Sequence, residues 1–361
     1  MNIFYDHQIF TIQKYGGISN YYYNLVKLLN QRKFVNLQIY APLYINEYIK
    51  NLPPNIVWGK RLNLNKFKLN LIVNNYFTNF KLNSFQPDIV HLTYYNSHYN
   101  KNKRSKYVLT VYDMIHEQYP YYFNNKRLSD NKRQACEVAD HIICISENTK
   151  KNIVNIFNVP EKKISVIYLG ADHLSLVDDI NIEFNDKFIL FVGSRKNYKN
   201  FSILLKAFYS NKEIYNNYKI IAFGGERVSR ETKEEIKSLK IDNNKIIFFK
   251  GSDQILKNLY KKASLFVCPS LEEGFGIPPL EAISVGCPVL VSDIAVFREI
   301  LKDKCELFNP SSVSDLSLKM EKMLNLNEFE KKLSDKVNSS EVKYKWINCA
   351  EQTYNLYESL L

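Results

Sequence analysis

Residues 188–208, FILFVGSRKNYKNFSILLKAF, decide the fold. Five apolar residues run without alternation into Gly193, the cations Arg195, Lys196 and Lys199 follow, and apolar positions then recur at helical spacing from Phe201. An unbroken apolar run suits a strand covered on both faces, so the stretch reads as strand, loop and helix. The same unit returns at KIIAFGG (219–225), KIIFFKG (245–251), SLFVCPS (264–270) and PVLVSD (288–293), with helical segments such as RETKEEIKSLK between them. Repeated βα units predict a parallel sheet with right-handed crossovers.

The first half repeats the theme more loosely. NIFY, LQIY, DIVHLTYY, YVLTVYD, HIICIS and ISVIYLG read as strands, and ISNYYYNLVKLLN and SENTKKNIVNIF as helices. Two such sheets in tandem make a two-lobed α/β protein, which its 361 residues can fill. The boundary falls near Gly170 and the polar stretch ADHLSLVDDINIEFND. No solenoid-period repeat or low-complexity tract interrupts either half.

An apolar content of 45% with 24% charged residues is that of a soluble globular chain and excludes disorder. The start, MNIFYDHQIF, has no basic residues leading into an apolar core, and no apolar run approaches the length of a membrane span. The reading therefore expects a cytoplasmic protein. The six cysteines, at 136, 144, 268, 287, 305 and 349, form no CxxC and have no histidine at metal spacing, which fits buried reduced thiols. Net charge is +12, and all the excess sits in residues 1–170, with 22 Lys+Arg against 10 Asp+Glu; the remainder has 27 of each. The first half is thus expected to meet something anionic: a membrane surface, a phosphorylated substrate or nucleic acid. No basic helix or known module supports nucleic acid.

Ligands of open parallel sheets bind beyond the carboxyl ends of the strands. There, Gly16 and Gly17 in QKYGGISNYYYNL lead into a helix, either as a phosphate-approaching turn or as a tight turn alone. Arg195, Lys196 and Lys199 are either solvated loop charges or partners of a diphosphate. In EEGFGIPPLE (272–281), Gly274 and Gly276 bare the backbone around Phe275, and Pro278 and Pro279 suit a helix start whose N–H groups point at a ligand. Glu273 and Glu281 either accept hydrogen bonds from ring hydroxyls or favour the helix N-terminus.

Glu273 and Glu281, spaced E-x7-E within PSLEEGFGIPPLEAISVGCPVLVSD, resemble the signature of retaining glycosyltransferases of family 4. YDHQIFTIQKYGGISNYYYNL resembles that family's N-terminal glycine loop and VGSRKNYKNFSILLKAF its diphosphate loop; IAFGGE and LYKKASLFVCPS resemble the segments between. The likeness covers nearly the whole chain and is greatest to mannosyltransferase-like enzymes of bacterial O-antigen and capsule assembly. It implies a GT-B fold: two Rossmann-like parallel-sheet domains facing each other across a cleft, residues 1–169 on the acceptor side, residues 170–340 binding the donor, and a helix over 341–361 crossing back.

The resemblance also implies roles. Gly16 and Gly17 contact the donor phosphates, Arg195 and Lys199 neutralise the departing diphosphate, and Glu273 holds hydroxyls of the donor sugar beside the amides of Gly274, Phe275 and Gly276. Glu281 binds the nucleotide ribose. Many relatives carry a histidine in a T-x-H-D context; TVYDMIHEQYP has Tyr112 there, then Asp113, with His116 three residues on, and all three are candidates to face the reacting carbon. LKDKCELFNP lacks the usual glycine before its phenylalanine-containing turn.

The expected activity is retaining transfer of a hexose, mannose being favoured, from GDP-mannose or a UDP-sugar to a glycan or polyprenyl-linked glycan in cell-surface polysaccharide assembly. No cofactor is expected. No metal is expected either, because Asp178-Asp179 lies in the interdomain stretch and no DxD pair ends a strand. Alternatives are a catalytically silent nucleotide-sugar-binding subunit and a GT-B sugar-nucleotide 2-epimerase. NKFKLNLIVNNYFTNFKLN (65–83) and YNKNKRSKY (99–107) interleave cations with apolar residues, as a surface peripheral to the inner face of an anionic membrane would.

Overall fold

The computed structural model describes residues 1–62, 67–95, 101–123, 126–195, 197–224, 228–325 and 344–361. They form two compact units, Met1–Gly170 with Trp346–Leu361, and Ala171–Lys345. The boundary expected at 340/341 lies outside the described residues.

The first unit has seven strands: β1 (Asn2–Tyr5), β2 (Asn36–Tyr44), β3 (Val57–Arg61), β4 (Ile89–Leu92), β5 (Lys106–Val111), β6 (His141–Cys144) and β7 (Ile164–Val166). Their order is β3-β2-β1-β4-β5-β6-β7 and every pairing is parallel. The chain builds outward from β1 in one direction and resumes at β4 in the other, so the switch point lies between β1 and β4. The second unit has β8 (Phe188–Val192), β9 (Lys219–Phe223), β10 (Ile246–Phe249), β11 (Leu265–Cys268), β12 (Val289–Ser292) and β13 (Glu306–Phe308). Its order, β10-β9-β8-β11-β12-β13, places the corresponding switch point between β8 and β11.

The apolar runs become central strands because helices cover both sheet faces. All four residues are buried in each of β4, β11 and β12. In the second unit Ile189, Phe191, Ile220, Val267 and Leu290 from the sheet meet Leu204 and Phe208 of the helix Phe201–Ser210 and Met320 of the helix Val313–Asn325 in one core. Edge strands look different. β3 is exposed over Trp58–Arg61, and its register on β2 slips between Tyr40 and Leu43. Gly59 sits there at φ +148°, where a Cβ would stand 1.7 Å from the Ala41 carbonyl oxygen, so only glycine fits. Residues 306–308, read as part of a turn, form β13, an edge strand of the second sheet, paired to β12.

Helix ends follow local chemistry. Ser146 Oγ accepts the Thr149 N–H at 3.1 Å to start the helix Glu147–Phe157, and Asn158 closes it in the left-handed conformation. The helix Trp346–Leu360 belongs to the first unit: the Trp346 ring lies 6.2 Å from Tyr21, and the Arg32 guanidinium lies 4.2 Å from the Tyr354 ring. Tyr357 hydroxyl meets His91 Nδ1 at 2.5 Å and Tyr5 hydroxyl at 3.3 Å. Five of the six free cysteines are buried, and burial pushes the Cys136 and Cys268 thiols up to about 12, which makes them poor nucleophiles.

His91 is fully buried on β4 between Tyr357 and Thr110, whose Oγ1 lies 2.9 Å from its Nε2, and burial pulls its pKa down to about 3. An unfolded histidine protonates near 6.5, so acidification favours the unfolded chain. Between pH 7 and 5 this site should cost about 2 kcal/mol. Asp6 works the other way, because burial lifts it to about 6 and its protonation favours the fold. Hydrogen exchange at the β4 amides, compared between wild type and His91→Gln, isolates the histidine: the variant should lose less protection on acidification. Equal losses would show that His91 takes up its proton in the folded state.

Candidate functional site

Both switch points carry polar side chains tied across the gap between their strands. In the second unit β8 runs into Gly193, at φ +129°, whose N–H donates to the Phe223 carbonyl at 3.0 Å. Arg195 Nη1 then donates to the Gly224 carbonyl at 2.8 Å, with its guanidinium 5.2 Å from the Phe248 ring. Lys199 ends the short turn Asn197–Lys199, and its Nζ lies 2.6 Å from Glu273 Oε1, on the loop after β11. Ser270 Oγ donates to the same oxygen at 2.7 Å, and the Leu271 N–H donates to the Tyr198 carbonyl at 2.7 Å, so the two loops are stitched together. Burial is the largest single influence and opposes the Lys199 charge, but the Glu273 carboxylate, Tyr198 and Cys268 together outweigh it and hold the ammonium above the usual lysine range.

The stretch 272–281 folds partly as the sequence reading expects. Gly276 caps the helix Ile277–Ser284 at φ +105°, with a Cβ position 2.9 Å from the Phe297 ring, so a side chain is excluded. Phe275 is buried edge-on to Tyr344 with centroids 5.5 Å apart. The expected array of helix N–H groups is not formed. Pro278 and Pro279 carry none, and the Leu280 N–H donates to the Gly276 carbonyl at 3.3 Å, so the first turn retains only that of Ile277. Glu281 is 5% exposed; Tyr260 hydroxyl donates to its Oε2 at 3.0 Å and His173 Nε2 lies 3.2 Å from its Oε1. Burial raises its pKa. Tyr260 and His173 were not foreseen: Tyr260 lies in the quoted LYKKASLFVCPS and His173 in the boundary stretch, but nothing local in either segment ties it to Glu281.

In the first unit Gly17 opens the helix Gly17–Leu29, and nothing lies within 4 Å of where its Cβ would stand. Gly16 is extended, and the Gln13 Oε1 that accepts the Ser19 N–H at 3.3 Å sits 2.4 Å from its Cβ position. The switch point itself carries Asp6, which sequence reading passed over. This fully buried carboxylate accepts from Gln8 Nε2 at 2.6 Å, the Thr93 N–H at 3.0 Å and the Thr93 hydroxyl, joining the loop after β1 to that after β4. Next to it His7 contacts Asn75 Oδ1 at 3.0 Å and Thr11 Oγ1 at 3.2 Å, and burial lowers it to about 4.

Tyr112, Asp113 and His116 separate. Tyr112 is buried, with its ring edge-on to Tyr21 at 5.9 Å. Asp113 Oδ1 accepts the Ile115 N–H at 3.0 Å, and its carbonyl accepts Lys132 Nζ at 3.0 Å. His116 stacks on Phe123 with centroids 3.9 Å apart, and burial lowers its pKa. Lys196, Gly225, Glu226 and parts of the two basic segments (65–66, 99–100) lie outside the described residues.

Two parallel-sheet, Rossmann-like units in tandem, each with side chains bridging its switch point, are the GT-B architecture. Residues 15–173 match the family model described as Glycosyltransferase Family 4, and residues 175–339 the model described as Glycosyl transferases group 1. The chain belongs to glycosyltransferase family 4. It is 32% identical to the O-antigen chain mannosyltransferase RfbU of Salmonella typhimurium over 205 residues, 56% of each chain. To the serotype-specific mannosyltransferase WbdA of Escherichia coli it is 28% identical over 306 residues, 76% of this chain and 37% of that one. The chain thus spans little more than half of the one relative and about a third of the other. Anabaena HepE in complex with UDP and glucose shares the fold, with a TM-score of 0.73, 14% identity and 99% of both chains covered.

Proposed function

We infer that this chain is a retaining glycosyltransferase that moves a hexose, mannose, from GDP-mannose to a glycan or polyprenyl-linked glycan acceptor of a cell-surface polysaccharide. The observation that carries the reading is the Lys199–Glu273 pair at 2.6 Å across the β8/β11 switch point, with Arg195 on the same loop as Lys199. The names of RfbU and WbdA supply the choice of mannose and of O-antigen-type acceptors. The anomeric C–O bond breaks first, leaving its electron pair on the diphosphate oxygen. Lys199 and Arg195 stabilise that charge without a metal ion. The acceptor oxygen then bonds to the anomeric carbon on the face the diphosphate leaves, and its proton passes to a diphosphate oxygen.

Melting curves with GDP, UDP, dTDP and their sugars test the donor: a ligand at 100 times its Kd adds about 2.7 kcal/mol. Transfer from GDP-mannose to a polyprenyl-diphosphate-linked saccharide, with the linkage read by NMR, tests the reaction. The burial of Tyr112 favours a second reading, a catalytically silent nucleotide-sugar binder, because it leaves no side chain from that position to face a donor sugar. Donor that binds but is neither transferred nor slowly hydrolysed would establish the silent binder. Conversion of the donor to its 2-epimer would establish the epimerase instead.

The same reading places the first unit on the inner face of an anionic membrane. No described helix is long and apolar enough to cross one. The helix Phe67–Phe85 has no acidic residue and is inverted: Asn70, Asn74 and Thr78 are buried, while Ile72, Tyr76 and Phe80 are 68%, 75% and 72% exposed. Asn74 spends its amide on the Leu43 N–H and carbonyl, both at 2.8 Å. Large apolar side chains four residues apart on an outer face, in a unit rich in cations, suit an interface of lipid headgroups. Wild type should co-sediment with vesicles containing phosphatidylglycerol at low salt, and Tyr76→Ser with Phe80→Ser should reduce binding at least about tenfold. Absence of co-sedimentation at low salt would remove the membrane from the reading.

A further inference from the structure

The short helix Ile115–Gln118, the helix Lys126–Val138 and the end of the helix Glu147–Phe157 flank an open cavity of about 290 Å³ in the first unit. None of its lining residues belongs to the bridged loops after β1 and β4. Two stacked pairs line it: His116 on Phe123, 28° from parallel, and the Arg133 guanidinium 4.4 Å from the Phe157 ring. Arg133 Nη2 also donates to the Ile156 carbonyl at 3.4 Å, which helps to hold it over that ring.

Glu117 lines the same cavity. Its side chain is 3% exposed, Oε2 accepts from the buried Lys132 at 2.8 Å, and Oε1 has no hydrogen-bond partner. A buried carboxylate oxygen without a donor is costly; this one is closed to water, so an occupant's hydroxyl satisfies it only when the Glu117 side chain turns toward the cavity. Among the described side chains around the cavity charge balances: Glu117 faces Lys132, Asp130 and Arg133 are equal and opposite, and burial keeps the His116 ring neutral at pH 7. Balanced charge gives a phosphate or an amine no advantage. Arg133 donates, Glu117 accepts, Ser129 does both, and the rings offer flat apolar faces. A pyranose has the matching chemistry, with hydroxyls that donate and accept around a C–H face.

We propose that this cavity is a saccharide subsite of the first unit that holds one pyranose unit of the acceptor glycan. The proposal rests on the glycosyltransferase reading for the kind of ligand, but its test is separate. Saturation-transfer NMR on the full chain, with the most stabilising nucleoside diphosphate in excess, probes the methyl glycosides of mannose, glucose, galactose and rhamnose, with spermidine as the cationic comparison. At least one glycoside should show transfer that the nucleotide does not displace. That signal should fall roughly fivefold or more in Arg133→Met, which removes the donor, and in Ser129→Trp, which fills the space. Both positions are incompletely buried, so neither variant depends on replacing the Glu117–Lys132 pair. Displacement by the nucleotide, unchanged signal in both variants, or a response to spermidine alone overturns the subsite, as does silence from every glycoside. Failure of every nucleoside diphosphate to stabilise the chain counts instead against the glycosyltransferase reading, and the glycoside result is read in either case.

Discussion

Lys199→Ala lowers donor turnover by about 10² to 10³, the cost of removing one preorganised partner of a developing negative charge. The geometry adds a condition to this expectation. Lys199 Nζ and Glu273 Oε1 are 2.6 Å apart, so the lysine variant also releases a carboxylate whose other contact is the Ser270 hydroxyl at 2.7 Å. The two residues should therefore couple. If Glu273 acts only by aiming Lys199, then Glu273→Gln has no further effect once Lys199 is alanine; if Glu273 also holds the sugar, the double variant falls below either single one. Because the carboxylate keeps the ammonium above the usual lysine range, an alkaline fall in activity below about pH 10 belongs to another group. Steady-state turnover of the four forms across pH decides these points, and a Lys199→Ala enzyme within about threefold of wild type would remove Lys199 from the chemistry.

Much of this arrangement was legible because central parallel strands leave an unmistakable trace. Runs such as LFVC and VLVS are apolar at successive positions because helices cover both of their faces. β3 and β13 escaped because they bury little: VWGKR is exposed at four of its five positions and ELF buries only Phe308, so neither needs a continuous apolar run. The cations after β8 and the carboxylates after β11 could be read as candidates because each group is local in sequence. Their pairing could not, since Lys199 and Glu273 are 74 residues apart and meet only because β8 and β11 are neighbours in the sheet. Asp6 with Thr93, separated by 87 residues, was hidden in the same way. The inverted helix Phe67–Phe85 shows a different limit: interleaved lysine and aromatic residues are visible in one dimension, but which stripe faces the sheet depends on Asn74 bonding to β2.

The two acids of the E-x7-E spacing should separate in their kinetic consequences. Glu273 stands on the loop after β11, 2.6 Å from Lys199, where a sugar would change shape and charge as its anomeric bond breaks, so Glu273→Gln should mainly depress turnover. Glu281 lies inside the helix, gripped by Tyr260 and His173, and a ribose bound there is the same in donor and product. Glu281→Gln should therefore weaken the donor and the free nucleoside diphosphate alike, by about 10- to 100-fold for a hydrogen bond to a buried charge. Tyr260→Phe and His173→Gln supply the controls. They leave the carboxylate in place but remove its anchors, so each should weaken nucleotide binding less than Glu281→Gln and leave the turnover of bound donor near wild type. Titration calorimetry with the nucleoside diphosphate, set beside single-turnover transfer rates for all four variants, separates binding from chemistry. Intact nucleotide affinity in Glu281→Gln together with its loss in Glu273→Gln would reverse the two assignments, and loss of turnover in the Tyr260 and His173 variants at unchanged affinity would move Glu281 from binding the nucleotide to the reaction itself.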